Sequence, residues 1–447
     1  MILTDIELLF QFNFFILCTY LIHTFLNERF IRLYHVWIFA FIYIIIPEGV
    51  VNASEISDFG VYGVIASKYL CICNWLVLLS HIFFFQNTPV SLLKRETFLY
   101  EKGPLTFLLL MTLLVVYLIV MGPVALRNFL QGRVNIEGGT TQLPIVLSSF
   151  IKACGYVLPA LIAYYYKYLN RSRYYFLTSF LISLPIFILL FIAGTRFPLL
   201  FSLGGFTLMH LIDKKISMGM VLKVIPALIF IGFLASKMKE FRTFGVKETS
   251  IVAVLSEFNK SGKENSIYNF GSIEGVIAAN AKLVDYFETH DHMMGLSNSF
   301  ILYFWVPRSV WPDKPQMLGY WFIRNYEDAD IYDSGHSVSF SFAGDAYADF
   351  GFTGGLLFSL FLGFLLARFD QWVKNKLADP TQYPLVLATL SYSFVFFFVR
   401  SPQTAAFNFL GILTVYFLIK KTLSIYIKKS NPDETALCDQ HSCPIQE

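Results

Sequence analysis

Three titratable side chains that stand close together in the chain could move a proton. His336, Asp345 and Asp349 lie in the segment SGHSVSFSFAGDAYADFGFTGG, residues 334–355. Histidine can act as a base near neutral pH, and a carboxyl group can act as an acid or a base. Asp345 and Asp349 are four residues apart, so they share a face if a helix has already begun. His336 is the first candidate for a base and Asp345 the second; the alternatives are a structural histidine and a helix-capping aspartate.

Four arginines stand beside apolar runs, where a basic residue needs a reason. They are Arg196 in FIAGTRFPLLF, Arg242 in KEFRTFGV, Arg308 in YFWVPRSVWPDKPQ and Arg400 in FFFVRSPQ. An arginine fork binds phosphate oxygens in pairs and stays charged, so several arginines at one depth could hold a pyrophosphate. For each arginine alone, the alternative is snorkelling to lipid headgroups or a structural salt bridge.

The stretch YFWVPRSVWPDKPQ, residues 303–316, forms what we call the knot, which is rich in proline, aromatic residues and charge. Its three prolines stiffen the backbone, and tryptophan favours the membrane interface. The knot is therefore expected to present Arg308 and Lys314 rigidly at the level of lipid headgroups. Two interpretations stay open from the residues alone: an interfacial anchor with solvated charges, and a clamp for a lipid-linked phosphate.

The elements that must position these side chains are membrane helices. Of the 447 residues, 56% are hydrophobic and only 15% are charged, whereas soluble domains carry about 25% charged residues. Long apolar runs recur, each able to cross a hydrocarbon core of ~30 Å. The net charge of +3 offers no argument for a nucleic-acid partner, and we expect none. We predict an all-α integral membrane protein with about eleven transmembrane helices, at residues 6–26, 34–50, 62–86, 104–123, 143–166, 174–193, 197–212, 219–236, 345–368, 383–400 and 404–424.

Lysine and arginine concentrate in the loops after odd-numbered spans and in the C-terminal tail. This bias predicts an N-out, C-in orientation. Residues 1–236 then hold helices one to eight, residues 237–344 form one large outer loop, residues 345–426 hold helices nine to eleven, and residues 427–447 form an inner tail. Within the loop, GSIEGVIAANAKLVDYFETH has apolar residues at helical spacing. It predicts an amphipathic helix that lies on the membrane or on the loop's own core.

The motifs VPRSVWPDKP and, further along, GHSVSFSFAGDAYADFGFTGG resemble those of the Wzy-type O-antigen and capsule polymerases, which are bacterial oligosaccharide repeat-unit polymerases. The turn GTRFPL, the number of spans and the single large outer loop are also similar to that family. Where the family favours glutamate and asparagine, this chain has Asp345 and Asp349. A carboxyl group at position 345 keeps an acid or base role open, but with a shorter side chain.

The resemblance implies the GT-C-like fold of integral-membrane glycosyltransferases related to O-antigen ligases. It also implies a reaction at the periplasmic face of a bacterial inner membrane. The donor would be a growing glycan on undecaprenyl pyrophosphate, and the acceptor a single repeat unit on the same lipid. An acceptor hydroxyl would attack C1 of the donor sugar, and undecaprenyl pyrophosphate would leave. Membrane lipids and a chain-length regulator protein are the further candidate partners.

On this hypothesis we expect a site without metal or other cofactor. No paired acidic motif of the metal-binding kind stands out in an outer loop, and arginines can stabilise a leaving pyrophosphate in place of a divalent cation. His336 and Asp345 are the catalytic candidates. The pyrophosphate-binding candidates are Arg196, Arg308, Arg242, Arg400 and Lys314.

Two other functions stay open at this point. A ligase-type transferase would differ from a polymerase only in its acceptor. A transporter of lipid-linked oligosaccharides would also need many helices, but transporters often show repeated halves and polar groups near the bilayer midplane. In this chain the charge concentrates in one loop on one side, which favours a transferase.

Overall fold

The computed structural model of the chain describes residues 2–28, 31–85, 103–131, 145–170, 173–193, 196–212, 214, 275–303, 306, 309–326, 338–377 and 384–430. Every regular element in this part of the chain is helical, as predicted. The helices, numbered along the chain, are α1 (Ile2–Glu28), α2 (Leu33–Ile44), α3 (Ile46–Val51), α4 (Ala53–Ser57), α5 (Val61–Phe84), α6 (Gly103–Gln131), α7 (Ile145–Tyr164), α8 (Tyr175–Ile192), α9 (Arg196–Leu211), α10 (Val276–Thr289), α11 (Leu296–Tyr303), α12 (Leu318–Tyr326), α13 (Phe342–Leu377), α14 (Pro384–Arg400) and α15 (Pro402–Ser430).

Seven helical stretches in the described residues are long and apolar enough to cross a membrane. They are Thr4–Thr24, Leu33–Val51, Val61–Phe84, Pro104–Arg127, Tyr175–Ile192, Phe342–Asn375 and Pro402–Lys421. These stretches match the predicted spans one, two, three, four, six, nine and eleven. The chain is therefore an all-α membrane protein, in agreement with the composition.

The other predicted spans are accounted for differently. Spans seven and ten correspond to shorter apolar helices, Pro198–Leu211 and Leu385–Arg400, and span five corresponds to α7. Span eight, at residues 219–236, lies outside the described residues. The total of eleven spans and the N-out, C-in orientation stay predictions.

These runs become helices because lipid offers no partner to backbone N–H and C=O groups, so a spanning segment must satisfy them internally. Three of the long described helices have a proline well inside the helix: Pro123 in α6, Pro159 in α7 and Pro185 in α8. Membrane helices tolerate proline because neighbouring helices and local adjustments satisfy the backbone groups that it frees.

Small residues let α13 pack directly against α5, the helix with which it shares its largest interface. Gly355, Ser359 and Gly363 recur every four residues along α13. A Cβ atom at Gly355 would meet the hydroxyl of Tyr69, and one at Gly363 would meet the carbonyl oxygen of Val77. Small residues at this spacing allow two membrane helices to approach closely, so α5 is the support on which α13 rests.

Helix α13 is broken at Gly351, whose backbone angles are φ 67° and ψ −166°. Glycine adopts a positive φ at no steric cost, and a Cβ atom here would also lie 2.8 Å from Nε2 of His292. The break divides α13 into a first arm, residues 342–350, and a second arm, residues 352–377. The second arm is roughly 39 Å long at 1.5 Å per residue, more than a hydrocarbon core of about 30 Å requires. The first arm is therefore available to build a site.

The amphipathic helix predicted in the large loop is present as α10. One side of α10, with Ile277, joins the core of the bundle, and another side places Phe287 against Phe322 of α12 in a second core. Helix α10 thus packs on the bundle and on the loop's own core. The loop ends slightly earlier than predicted, because α13 begins at Phe342 and not at residue 345.

At the far end of α13 a buried carboxylate joins three helices, and we call this the Asp370 end. Oδ2 of Asp370 lies 3.3 Å from Nε2 of His81 in α5. Oδ1 of Asp370 accepts a hydrogen bond, at 3.4 Å, from the backbone N–H of Leu33, the first residue of α2. The side chains of His81 and Asp370 are almost fully buried, and each has a polar partner.

Candidate functional site

The first arm of α13 carries the two aspartates of the predicted site. Asp345 and Asp349 both lie in the helix and are both buried. Because they are four residues apart, they lie one above the other on the same face. The expected sharing of a face is therefore confirmed, but the two carboxyl groups have different surroundings.

Asp349 caps a neighbouring helix. Its Oδ1 accepts a hydrogen bond from the backbone N–H of Ser297 at 2.9 Å, and its Oδ2 accepts from the backbone N–H of Asn298 at 2.8 Å. The Asn298 side chain donates to the same Oδ2 at 2.6 Å. Ser297 and Asn298 lie in the first turn of α11, whose N–H groups have no partner within their own helix. Asp349 supplies those partners from another helix, so its role is to hold α11 on the first arm.

Asp345 has no comparable set of partners. Its Oδ2 is buried and has no hydrogen-bond partner among the described residues. Asp345 does not cap its own helix either, because the Ser341 hydroxyl accepts from the backbone N–H of Gly344 at the start of α13. A buried polar atom without a partner is costly, and its presence calls for an explanation such as catalysis or a bound ligand. Asp345 is therefore a candidate for a reacting group.

The bundle caps a second loop helix through Glu48. Oε1 of Glu48, in α3, accepts from the backbone N–H groups of Ile277 at 2.8 Å and Ala278 at 3.1 Å. Both N–H groups belong to the first turn of α10, where the partial positive charge of the helix dipole favours a carboxylate. Glu48 therefore fixes where α10 meets the bundle.

Gln403 caps the third loop helix and ties it to α11. Its Oε1 accepts from the backbone N–H of Leu318, the first residue of α12, at 3.0 Å. Its Nε2 donates to the carbonyl oxygen of Ser297 at 2.9 Å and to the Ser297 hydroxyl at 2.8 Å. In each of the three described loop helices, α10, α11 and α12, a bundle side chain thus accepts hydrogen bonds from the first backbone N–H groups. We call the end of the bundle where these three helices start the loop end.

Asp345 and Arg400 each stand a few residues along the chain from one junction at the loop end. Ser297 binds both Asp349 and Gln403, so the first arm of α13 and the start of α15 meet at the first turn of α11. Asp345 lies one helical turn before Asp349, and Arg400 ends α14 three residues before Gln403. Arg400 is partly exposed. One predicted catalytic residue and one predicted pyrophosphate-binding residue therefore stand within four residues along the chain of the side chains that form this junction.

Lys314 braces the knot in the structure. Its Nζ donates to the carbonyl oxygen of Val306 at 2.8 Å, and the rings of Tyr303 and Trp311 lie 5.3 Å apart. Val310 and Trp311 are exposed, so the knot turns large apolar side chains outward. Burial raises the pKa of the Tyr303 hydroxyl above its usual range, which keeps this side chain neutral.

The remaining predicted site residues cannot be located from the described part of the chain. Arg242, Arg308 and His336 lie outside the described residues, and their roles stay predictions. Arg196 is the first residue of α9, but its side chain also lies outside the described part. Among the residues that the structure describes, no group of three or more His, Cys, Asp or Glu side chains could hold a metal ion.

The sequence analysis did not single out Glu48 or Gln403. Glu48 stands at the end of an otherwise apolar run, and a charged residue in that position is a usable signal. Gln403 carries no charge and follows Arg400 by three residues, so only its contacts reveal its role.

No family model, curated protein or solved structure matches the chain. The described residues define the class as an all-helical membrane protein with a helical loop fixed to one end of its bundle. Any function for this chain has to be argued from the chemistry of the loop end.

Proposed function

We propose that this chain polymerises oligosaccharide repeat units that are linked to undecaprenyl pyrophosphate, at the periplasmic face of a bacterial inner membrane. The observation that supports this most is Asp345, a buried carboxyl group with one oxygen lacking a partner in the described residues. It stands within the GDAYADFG motif that resembles the repeat-unit polymerases. The motif sits on the first arm of α13, beyond the length that α13 needs to cross a bilayer.

In the proposed reaction Asp345 acts as the base. It accepts the proton of an acceptor hydroxyl as the oxygen of that hydroxyl forms a bond to C1 of the donor sugar. The bond from C1 to the pyrophosphate oxygen breaks, and its electron pair leaves with undecaprenyl pyrophosphate. The proton then passes from Asp345 to solvent. Sequence alone put His336 ahead of Asp345 as the base, and the burial of Asp345 is the reason for the new order.

The leaving pyrophosphate needs positive charge in fixed positions. Arg400 is the described candidate, since it is partly exposed and ends α14 three residues before Gln403. Arg196, Arg242 and Arg308 complete the proposed set. Lys314 contributes by bracing the knot, because its amine donates to the carbonyl oxygen of Val306 within the same segment. The exposed apolar side chains of the knot favour a position at the lipid interface, where the pyrophosphate of a lipid carrier would lie.

The remaining parts of the proposal concern the fold and the partners. They are a GT-C-like fold, eleven spans with N-out, C-in orientation, and donor and acceptor glycans on the same lipid. A ligase-type transferase would use the same leaving group, so the acceptor separates the two functions.

The test is chain extension by the full-length protein, purified into lipid nanodiscs and supplied with lipid-linked repeat units. We expect a ladder of products in excess chelator, because arginines carry the charge of the leaving group. Loss of activity in chelator that magnesium or manganese restores would contradict the arginine site. Transfer of glycan only to a different lipid acceptor would identify a ligase-type enzyme instead.

A further inference from the structure

Helices α10 and α12 form an aromatic surface that the proposed transfer chemistry does not use. We call it the shelf, and it consists of Tyr286, His290, Trp321 and Tyr326. The Tyr286 ring stacks on His290 with centroids 4.0 Å apart and meets Trp321 edge-on at 5.5 Å. Tyr326 completes the set at 6.1 Å from Tyr286. His290 is exposed and the other three are partly exposed, so the shelf presents aromatic rings outside the spanning helices.

Polar groups surround these rings in fixed positions. Oδ2 of Asp285 accepts from the Tyr326 hydroxyl at 3.2 Å. Glu288 accepts a hydrogen bond from the Tyr62 hydroxyl at the start of α5. Asn325 is exposed, and its Nδ2 donates to the carbonyl oxygen of Trp321 at 2.6 Å. The shelf therefore combines apolar faces with hydrogen-bonding groups whose own contacts hold them in place.

This combination suits a carbohydrate better than a lipid or a phosphate. The C–H groups on one face of a sugar ring carry partial positive charge and meet the negative face of an aromatic ring. Sugar hydroxyls donate to carboxylates such as Asp285 and Glu288. The same carboxylates would repel a phosphate, and they would have to lose water to enter a lipid interface.

The shelf also lies close to Asp345. A Cβ atom on Gly344, the residue before Asp345, would meet the side chain of Asn280 in α10. From Asn280 to Tyr286 the distance along α10 is roughly 9 Å at 1.5 Å per residue. At the other helix of the shelf, Phe322 packs edge-on against Phe340, 5.1 Å away, just before the first arm. A chain whose end reacts at Asp345 would reach the shelf within a short distance.

We infer that the shelf binds the glycan chain itself, a short distance from its reacting end, while the pyrophosphate is held elsewhere. This inference rests on the proposed function for the identity of the glycan. It assigns Trp321 as the stacking platform and Asp285 as a hydrogen-bond acceptor. Enzymes that keep hold of a growing chain add more units before release, so the shelf would set how far one chain grows.

The test measures binding of glycan without its lipid. The probe is the polysaccharide released by mild acid from cells that carry the gene, cut to a few repeat units, and titrated by calorimetry into the full-length protein in nanodiscs. Trp321→Ala should weaken binding by about two- to twelvefold, since one aromatic contact is worth about 0.5–1.5 kcal/mol. Trp321→Phe, which keeps an aromatic ring, should bind nearly as wild type. Asp285→Ala provides a second loss that removes no aromatic ring.

Tyr174→Ala is the matched control, because Tyr174 is exposed but lies far along the chain, at the start of α8. It should leave glycan binding unchanged. No binding by the wild type, or equal binding by wild type, Trp321→Ala and Asp285→Ala, would overturn the inference. Normal glycan binding by both variants with lost complementation in cells would do the same, and would point to a protein partner on the shelf.

Chain extension, measured in parallel on lipid-linked units, separates this inference from the proposed function. If the wild type extends no chains but binds glycan through Trp321, the proposed function fails and the shelf stands. If the wild type extends chains, and the variants bind glycan and extend chains equally well, the inference about the shelf is wrong and the proposed function stands. If both hold, Trp321→Ala should produce shorter chains from the same number of starts.

Discussion

The buried carboxyl groups at the two ends of α13 differ in their hydrogen-bond partners. At the Asp370 end, Asp370 has His81 and the backbone N–H of Leu33 as partners. At the loop end, Asp349 is equally well served by the first turn of α11, but Asp345, one turn away, has an oxygen with no partner in the described residues. A buried carboxylate with partners can be explained by structure alone. Asp345, with one oxygen lacking a described partner, is the carboxyl group that we propose accepts a substrate proton, so the comparison proposes a structural and a functional acid within one helix.

The prediction with the largest expected effect concerns the orientation of the protein in the membrane, because a reversed orientation would remove the basis of this comparison. We predict that the loop end faces out and the C-terminal tail faces in. Single cysteines introduced at Ser261 and at Thr435, both outside the described residues, should differ completely in labelling by an impermeant reagent on cells with a permeabilised outer membrane. Position 261 should react and position 435 should not. The opposite pattern would place Asp345 on the cytoplasmic side and defeat the proposed function.

The second prediction compares the effects of substituting Asp345 and Asp349 on the rate of chain extension and on the melting temperature. Asp345→Asn removes the proposed base, which typically supplies about 10²–10⁴-fold in rate. We expect that loss in single-turnover chain extension, with a melting temperature no lower than that of the wild type. Asp349→Asn should instead lower the melting temperature, because α11 loses part of its cap.

The same assay on His336→Ala decides between the two candidate bases. A wild-type rate for Asp345→Asn together with a large loss for His336→Ala would restore the order that sequence alone suggested. It would also leave the missing partner of Asp345 without a catalytic explanation.

The third effect tests whether the loop end holds a pyrophosphate. Arg308→Ala and Arg308→Lys should each cost about 10²–10³-fold in rate, because lysine keeps the charge but loses the planar fork. Arg196→Ala should behave alike. The measurement is the chain-length ladder from a deletion strain complemented with each variant at matched protein level. A full ladder from Arg308→Lys would indicate a snorkelling side chain, since lysine snorkels equally well.

The fourth effect belongs to the Asp370 end. Asp370→Ala leaves His81 and the N–H of Leu33 without their acceptor, and breaking a buried pair typically costs about 3–5 kcal/mol. We expect a lower melting temperature in detergent and less protein in the membrane. The rate of chain extension per folded molecule should stay at the wild-type value. A lost rate in correctly folded Asp370→Ala protein would mean that the two ends do not divide structure from function.

The smallest effect concerns the caps that fix the loop. Glu48→Ala should cost about 0.5–2 kcal/mol, the usual value for a lost helix cap. Limited proteolysis should then cut around α10 faster than in the wild type. The matched control is Glu55→Ala, because Glu55 is exposed and its side chain accepts a hydrogen bond from Asn52, three residues before it. Equal cleavage rates for the two variants would show that Glu48 does not anchor α10.

Much of the fold follows from local properties of the sequence. Long apolar runs must become helices in lipid, so the membrane class and seven of the predicted spans could be identified from composition and hydropathy. The helical spacing of apolar residues identified α10 for the same reason. The break at Gly351 was not predicted, because a glycine inside an apolar run permits a positive φ without requiring one.

The residue types and spacing by themselves determined that Asp345 and Asp349 share a face, since a helix puts residues four apart together. They did not determine that Asp349 serves α11 while Asp345 lacks a partner. That difference depends on which helix start lies against each carboxyl group. The helix start that Asp349 caps is about fifty residues away along the chain, and the helix start that Glu48 caps is 229 residues away. Only the tertiary structure brings such distant groups within hydrogen-bonding distance, because a hydrogen bond acts over about 3 Å and carries no trace in local sequence.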